Sequence, residues 1–108
     1  MADLLVDFEQ SLFDLAGNAL GMNGLEMTLG KLAIEAVSVA AKNEPDMTEQ
    51  AKLAHYELLK KIDNGVKTHT PVQITEEEVP LLRKAINRTV DILTFGRVHD
   101  ILEASPRA

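Results

Sequence analysis

One stretch of the sequence constrains the fold most, because it is apolar on nearly every side that a helix would present. Thr28 carries a hydroxyl suited to capping a helix, and the residues after it favour a helix to about Lys42. The polar residues inside this stretch form one narrow stripe, made of Lys31, Glu35, Ser38 and Lys42. A helix with so little polar surface is buried by its neighbours, and we therefore predict a mostly helical domain packed around it.

Two amphipathic helices are predicted to follow the central one. Asp46 or Thr48 begins the first, which ends near Asn64 and Gly65. Residues 75–78, Thr-Glu-Glu-Glu, begin the second, because a hydroxyl residue followed three positions later by glutamate is a capping box. The predicted buried residues are Ala51, Ala54, His55, Leu58, Leu59 and Ile62 in the first helix, and Val79, Leu82, Ile86, Val90 and Leu93 in the second.

A last short helix is predicted near the end of the sequence. A break or kink around Thr94–Gly96 separates it from the helix before, and its buried side is formed by Phe95, Val98, Ile101 and Leu102. Residues 105–108 follow as a frayed tail. The sequence therefore predicts about four helices in all, packed round the central apolar helix.

The N-terminal segment has a different pattern. Val6 and Phe8 alternate with Asp7 and Glu9, as in a half-buried strand. Glycine and asparagine, which accept the backbone of tight turns, follow at positions 17, 18, 21, 23 and 24. We predict a short, irregular β-hairpin, with a disordered acidic arm as the alternative, and a short strand at 72–74 that pairs with it. The expected fold class is therefore α+β, mostly helical, with a small N-terminal β-hairpin.

Composition places the chain among soluble single domains. It has 108 residues, 45% of them hydrophobic and 26% charged. We expect one domain over residues 1–108, with 1–27 as the hairpin or arm, 28–104 as the helical core and 105–108 as the tail. The longest apolar stretch, 29–41, contains Lys31 and Glu35 and is shorter than the ~18 residues of a membrane span, so no membrane association is expected.

The sequence also favours a reducing compartment. There is no cysteine, which excludes disulfides, thiolate zinc sites and a cysteine nucleophile. No lysine or arginine precedes Lys31, so the sequence lacks the basic region that begins a secretory signal. We therefore expect a cytoplasmic protein.

Residues that carry chemistry are few and scattered. His99 and Glu103 are one helical turn apart and offer two metal ligands, whereas a zinc site needs at least a third. No serine lies in a nucleophile elbow, and no lysine with serine or threonine follows the glycines as in a phosphate-binding loop. We expect no catalytic residue, no metal and no cofactor.

Charge is distributed unevenly along the chain, which has a formal net charge of −6. Residues 1–50 contain nine acids and two bases, whereas residues 51–108 contain eight acids and nine bases. An acidic surface either keeps a small protein soluble or steers a basic partner towards it. The candidate partner-binding acids are Asp3, Asp7, Glu9 and Asp14, and a secondary basic face consists of Arg83, Lys84, Arg88 and Arg97.

Three kinds of contact are open to these residues. The basic face is too weak, and aromatic residues are too few, for direct nucleic-acid binding to be expected. The basic face of one copy could instead meet the acidic half of another copy in a homo-oligomer. An apolar contact with a partner protein around Leu4, Leu5 and Phe13 is the third possibility.

Five segments together resemble a group of small uncharacterised accessory proteins of tailed bacteriophages. They are V-D-F-x-x-x-L-x-D-L-x-G-x-x-L at 6–20, M-T-L-G-K-L-A-I-E-A-V at 27–37, E-Q-A-K-L-A-H-Y-E-L-L-K-K-I at 49–62, I-T-E-E-E-V-P-L-L-R-K-A-I at 74–86 and F-G-R-V-H-D-I-L-E at 95–103. The resemblance implies the cytoplasm of a bacterial host or the virion, and an accessory role in infection or virion assembly. It implies no catalytic residues.

The sequence therefore favours a non-catalytic protein that binds another protein or itself. The alternative is an acidic inhibitor that mimics nucleic acid on a host factor, whose binding would weaken steeply with salt. An enzyme or a direct nucleic-acid binder is the third class, and an enzyme would need a pocket lined by perturbed titratable groups.

Overall fold

The central helix, α1, spans Leu29–Ser38 and begins where the sequence predicts. The computed structural model describes residues 3–22 and 25–107. Thr28 caps α1, since its Oγ accepts a hydrogen bond of 3.2 Å from the backbone N–H of Lys31. The buried residues of α1 are Leu29, Gly30, Leu32, Ala33, Ala36 and Val37, and the four residues of the polar stripe are exposed. The predicted buried central helix is confirmed.

The central helix, which the sequence predicts to continue to about Lys42, is interrupted earlier, at Val39. Val39 has φ −101° and ψ 6°, a conformation between the helical and extended regions, and its N–H bonds to the Glu35 carbonyl at 3.2 Å. A short helix, α2, then covers Ala40–Asn43. The predicted helix to Lys42 is thus two helices divided at Val39.

The next helix, α3, spans Glu49–Thr68 and is longer than predicted. Of the two predicted starts, Asp46 and Thr48, it is Thr48 that caps the helix through its hydroxyl. Gly65 does not end the helix. A Cβ at this position would lie 2.1 Å from Val72 Cγ2, so glycine is needed there for close packing against a strand. The helix ends instead at His69, whose left-handed backbone, with φ 55°, forms the C-cap.

The predicted capping box begins α4, which spans Glu78–Asn87. The Thr75 hydroxyl accepts a hydrogen bond of 3.2 Å from the Glu78 N–H, and Glu78 Oε1 accepts one of 2.9 Å from the Thr75 N–H. Lys61 Nζ lies 2.6 Å from the same Glu78 oxygen, so this box also ties α3 to α4.

The predicted break around Thr94–Gly96 is wrong. The last helix, α5, spans Ile92–Ala104 without interruption, and the break lies at 88–91. Asp91 begins α5 because its Oδ1 accepts a hydrogen bond of 2.8 Å from the Thr94 N–H, which also lowers the pKa of Asp91 below its ordinary value. Such a cap stabilises a helix by about 1 kcal/mol, enough to offset a glycine inside it.

Four short strands lie within the described residues: β1 (Leu4–Val6), β2 (Gly21–Met22), β3 (Leu25–Glu26) and β4 (Val72–Ile74). β2 and β3 form a small antiparallel hairpin, and the predicted turn residues at 23–24 lie outside the described residues. β1 pairs antiparallel with β4, so the first strand closes on the connector between α3 and α4. Residues 106 and 107 of the predicted tail also contact β1, since the Leu5 N–H donates to the Pro106 carbonyl at 2.8 Å.

The core lies where α1, α3 and α4 meet the N-terminal segment and the β1–β4 pair. The largest fully buried side chains come from all of these elements and from α5: Val6, Phe8, Leu12, Leu29, Leu58, Ile62, Ile74, Leu82, Ile86 and Val98. The predicted fold class, a mostly helical α+β domain around a central apolar helix, is confirmed.

Candidate interaction surface

A tight turn at residues 13–19, here called the Asp14 turn, forms the first wall of the candidate site. The Asp14 N–H donates to the Asn18 carbonyl at 2.8 Å, and Asp14 Oδ1 accepts hydrogen bonds from the N–H groups of Ala16 and Asn18, both at 2.9 Å. Gly17 has φ +87°, which a residue with a side chain rarely adopts. Because one carboxylate satisfies two backbone donors, the turn has a defined shape without burying its own apolar side chains.

Arg97 joins this turn to α5. Its Nε donates to the Phe13 carbonyl at 2.9 Å, and its Nη2 donates to the Asp14 carbonyl at 3.0 Å. The guanidinium thus uses its planar fork to satisfy two adjacent backbone acceptors. The Asp14 turn is fixed against the helix by these bonds.

The turn exposes two large apolar side chains. Leu15 is 84% exposed and Phe13 is 44% exposed, whereas Leu12 beside them is buried. Together with Asp100 and Ile101 of α5 they line a hollow of about 440 Å³. We call this hollow, together with its extension towards β1, the α5 groove.

The groove continues towards β1. A second hollow of about 200 Å³ shares Gln10 and Ile101 with the first. Its other lining residues are Leu5, Asp7, Pro71, Ala104, Ser105 and Pro106. Most of this wall is apolar, and Leu5 is 36% exposed. The two hollows thus adjoin at Gln10 and Ile101 and extend together from the Asp14 turn along α5 to β1.

The four predicted acids do not form one patch. Asp3 accepts hydrogen bonds from Gln73 Nε2 at 2.9 Å and from the Glu76 N–H at 3.1 Å, which joins the N-terminus to β4 and the start of α4. Glu9 bonds to the ring of His69 at the end of α3. Only Asp7 and Asp14 line the α5 groove. The acids of the N-terminal segment therefore attach that segment to different parts of the helical core.

The four predicted bases are also divided. Lys84 Nζ and Arg88 Nη1 lie 2.6 Å and 3.4 Å from Glu44 Oε1, and the hydrogen bond from Lys84 lowers the pKa of Glu44. Arg83 donates to His99 Nδ1 at 3.0 Å and lies over the ring of Phe95. Only Arg97 lines the α5 groove. The basic face is thus largely used in contacts within the chain.

Sequence reasoning named Leu5 and Phe13 as apolar contact residues but missed Leu15 and Asp100. A signal for Leu15 was present, because the sequence Asp-Leu-Ala-Gly-Asn at 14–18 is typical of a tight turn. A leucine at the second position of such a turn has no neighbour to bury it. Asp100 could not be found, because its place in the groove depends on how α5 packs.

A second exposed apolar surface lies on α3. Leu53 is 56% exposed and Tyr56 is 53% exposed, and Tyr56 lines a hollow of about 220 Å³. Lys60 Nζ lies 4.7 Å from the centre of the Tyr56 ring and 3.0 Å from Glu57. Charged side chains of the same helix therefore cover part of this surface, unlike the Asp14 turn.

Comparisons with protein families, with curated proteins and with solved structures find no match to this chain. Within residues 3–22 and 25–107, no helix has the length and apolarity needed to cross a membrane. The same residues contain no group of three or more metal-ligating side chains. Among the described residues, the α5 groove is therefore the best-supported candidate for a functional site.

Proposed function

We propose that this chain is a non-catalytic protein-binding factor whose α5 groove receives an apolar segment of a partner protein. The observation that carries the proposal is the exposure of Leu15 on a turn fixed by hydrogen bonds to Asp14 and Arg97. An exposed leucine on an ordered turn beside a groove suits binding, because the loop ordering that association requires has already been completed.

The groove offers several large apolar side chains that a partner could contact. Phe13 and Leu15 lie at one end and Leu5 lies at the other, with Ile101 between them. Burying one leucine side chain contributes about 1.5–3 kcal/mol. A segment with two large apolar side chains at matching positions would therefore bind through a few residues, as hot-spot interfaces do.

The resemblance to accessory proteins of tailed bacteriophages supports the bacterial cytoplasm, or the virion assembled there, as the setting. In that setting the partner is a host protein or another protein of the particle. An acidic inhibitor that mimics nucleic acid is the alternative, and it differs in depending on charge rather than on Leu15.

The test is a pull-down from bacterial lysate with the tagged full chain, washed at low and at high salt. Leu15→Ser is compared with Leu53→Ser, a matched variant at an exposed leucine outside the groove. We expect a partner that survives high salt, and its recovery should fall about tenfold or more for Leu15→Ser and stay unchanged for Leu53→Ser.

Two results would contradict the proposal. Equal recovery of the partner by the wild-type chain, Leu15→Ser and Leu53→Ser would exclude the groove as the binding surface. A partner held only at low salt and unaffected by Leu15→Ser would favour the acidic mimic instead. Circular dichroism of each variant establishes that a loss of binding is not a loss of folding.

A further inference from the structure

We infer that the segment bound in the α5 groove is basic, with lysine or arginine beside its apolar side chains. This inference rests on the proposed function and names the chemistry of the partner. It follows from the charges that the groove presents and from the contacts that those charges already make.

Each part of the groove carries an exposed carboxylate without a cationic partner in the described residues. Asp100 lines the first part and makes no hydrogen bond or ion pair there. Asp7 lines the second part, and its Oδ1 accepts one hydrogen bond of 3.0 Å from the Glu9 N–H. Both residues are exposed, and their carboxylates therefore keep free acceptor oxygens beside the groove.

One cation lies among three carboxylates in the described lining of the groove, so the lining residues keep a formal net charge of −2. Arg97 is the one lysine or arginine among the described lining residues, and the carbonyls of Phe13 and Asp14 take its Nε and Nη2 donors. Asp14 likewise directs a carboxylate oxygen to backbone N–H groups. Arg97 keeps its positive charge, and the free oxygens of Asp7 and Asp100 remain available to a cationic partner.

The surroundings strengthen the negative field. The exposed Glu103 follows Asp100 by about one turn of α5 and adds a negative charge beside the groove. Lysine or arginine in the partner would be attracted by this field, whereas acidic segments and nucleic acids would be repelled.

A second copy of the chain fits this chemistry poorly. Five of its eleven lysines and arginines are already in ion pairs: Lys60 with Glu57, Lys61 with Glu78, Lys67 with Asp63, and Lys84 and Arg88 with Glu44. The chain also carries a net charge of −6, so two copies repel each other. The partner is therefore expected to be a different protein.

The experiment uses two labelled amphipathic peptides as probes, each of about 14 residues or four helical turns. One consists of leucine and lysine and the other has glutamate in place of lysine. Fluorescence anisotropy with the full chain should give a Kd on the order of 10 μM for the Leu–Lys peptide and binding at least about tenfold weaker for the Leu–Glu peptide.

Matched charge variants locate the effect. Asp7→Asn with Asp100→Asn should raise the Kd of the Leu–Lys peptide roughly threefold to tenfold. Glu35→Gln with Asp46→Asn changes the net charge equally at exposed positions outside the groove, and should change the Kd less than about twofold. Equal effects of the two double variants would mean general attraction by an acidic protein and would overturn the inference.

The remaining outcomes separate this inference from the proposed function. If the two peptides bind the chain with equal Kd and Leu15→Ser weakens both, the groove binds apolar segments but the basic preference is wrong. If Leu15→Ser leaves the Leu–Lys peptide unaffected, the groove itself is wrong. Failure of both peptides to bind overturns the inference, and the pull-down then decides the proposed function. A dimer in sedimentation equilibrium that Leu15→Ser dissociates would make a second copy the occupant and would also overturn the inference.

Discussion

The helical core and the Asp14 turn are held together by different kinds of contact. In the core, apolar side chains bury one another, and Leu29, Leu58 and Ile86 are all 0% exposed. In the turn, polar side chains bond to the backbone: Asp14 accepts from two N–H groups and Arg97 donates to two carbonyls. The hydrophobic effect therefore stabilises one region and directed hydrogen bonds shape the other.

This difference explains why leucine is buried in the core but exposed in the turn. A buried leucine of the core, such as Leu29 or Leu58, contributes to stability by leaving water, and its exposure would destabilise the fold. Leu15 is not needed to hold its own turn, so it stays at the surface next to the α5 groove. A region whose shape does not depend on its apolar side chains is free to offer them to a partner.

The largest expected effect breaks the core. Leu58→Ala removes a fully buried side chain of α3 and should lower the free energy of unfolding by about 2–5 kcal/mol, because it leaves a cavity. Leu15→Ala is the matched control and should change it by less than about 0.5 kcal/mol, since Leu15 is 84% exposed. Urea denaturation measures both, and similar losses would show that the turn leucine is part of the core.

A smaller effect is expected from loosening the turn alone. Arg97→Met keeps the length of the side chain but removes both hydrogen bonds to the turn, and should lower the free energy of unfolding by about 1–2 kcal/mol. Amide hydrogen exchange should accelerate at Ala16 and Asn18 while the amides of α3 keep their protection. Equal acceleration in α3 would mean that turn and core open together.

The smallest expected effect concerns the charged contact between α3 and α4. Burial raises the pKa of Glu78, but the bonds from Lys61 and from the Thr75 N–H lower it more, so that the net pKa lies below its ordinary value of 4.5. A carboxyl whose pKa is lowered by folding stabilises the protein above its unfolded pKa, and this contribution is lost as the pH falls through the folded pKa.

The free energy of unfolding should therefore decrease as the pH falls from about 5 to about 3, and Glu78→Gln should flatten that decrease. Glutamine keeps the oxygen that accepts from Thr75 and removes only the charge. Asp91 and Glu44 also have lowered pKa values, so a residual slope is expected in the variant. If the free energy of unfolding depends on pH in the same way in the wild-type chain and in Glu78→Gln, Glu78 does not titrate in this range.

The helical core could largely be predicted from the sequence, because its determinants are local. The threonine caps at 28, 48 and 75 and the apolar spacing of the central helix all appear in the structure. The errors arose where distant residues decide. Gly65 resembles a helix end until Val72 is seen to pack against it, and the cap at Asp91 outweighs the glycine at 96 that suggested a break.

The candidate site was less predictable for the same reason. The groove depends on Arg97 reaching the turn across 84 positions of sequence, and no pattern along the chain indicates that contact. The acids were recognised as exposed charges, but their partners, such as Gln73 for Asp3 and His69 for Glu9, lie 60 or more positions away. Charge and turn propensity can be seen in a sequence, whereas the juxtaposition that makes a surface cannot.

The pairing of β1 with β4 also sets the order in which the molecule is completed during translation. The bond between Asp3 and Gln73 beside this pair spans 70 positions. At a synthesis rate of about 5–20 residues per second, the first strand waits several seconds for its partner to be made. Helices α1 and α3 lie between the two strands in sequence and pack against each other. We therefore expect them to form the platform first, with the N-terminal segment, and the Asp14 turn with it, closing onto that platform last.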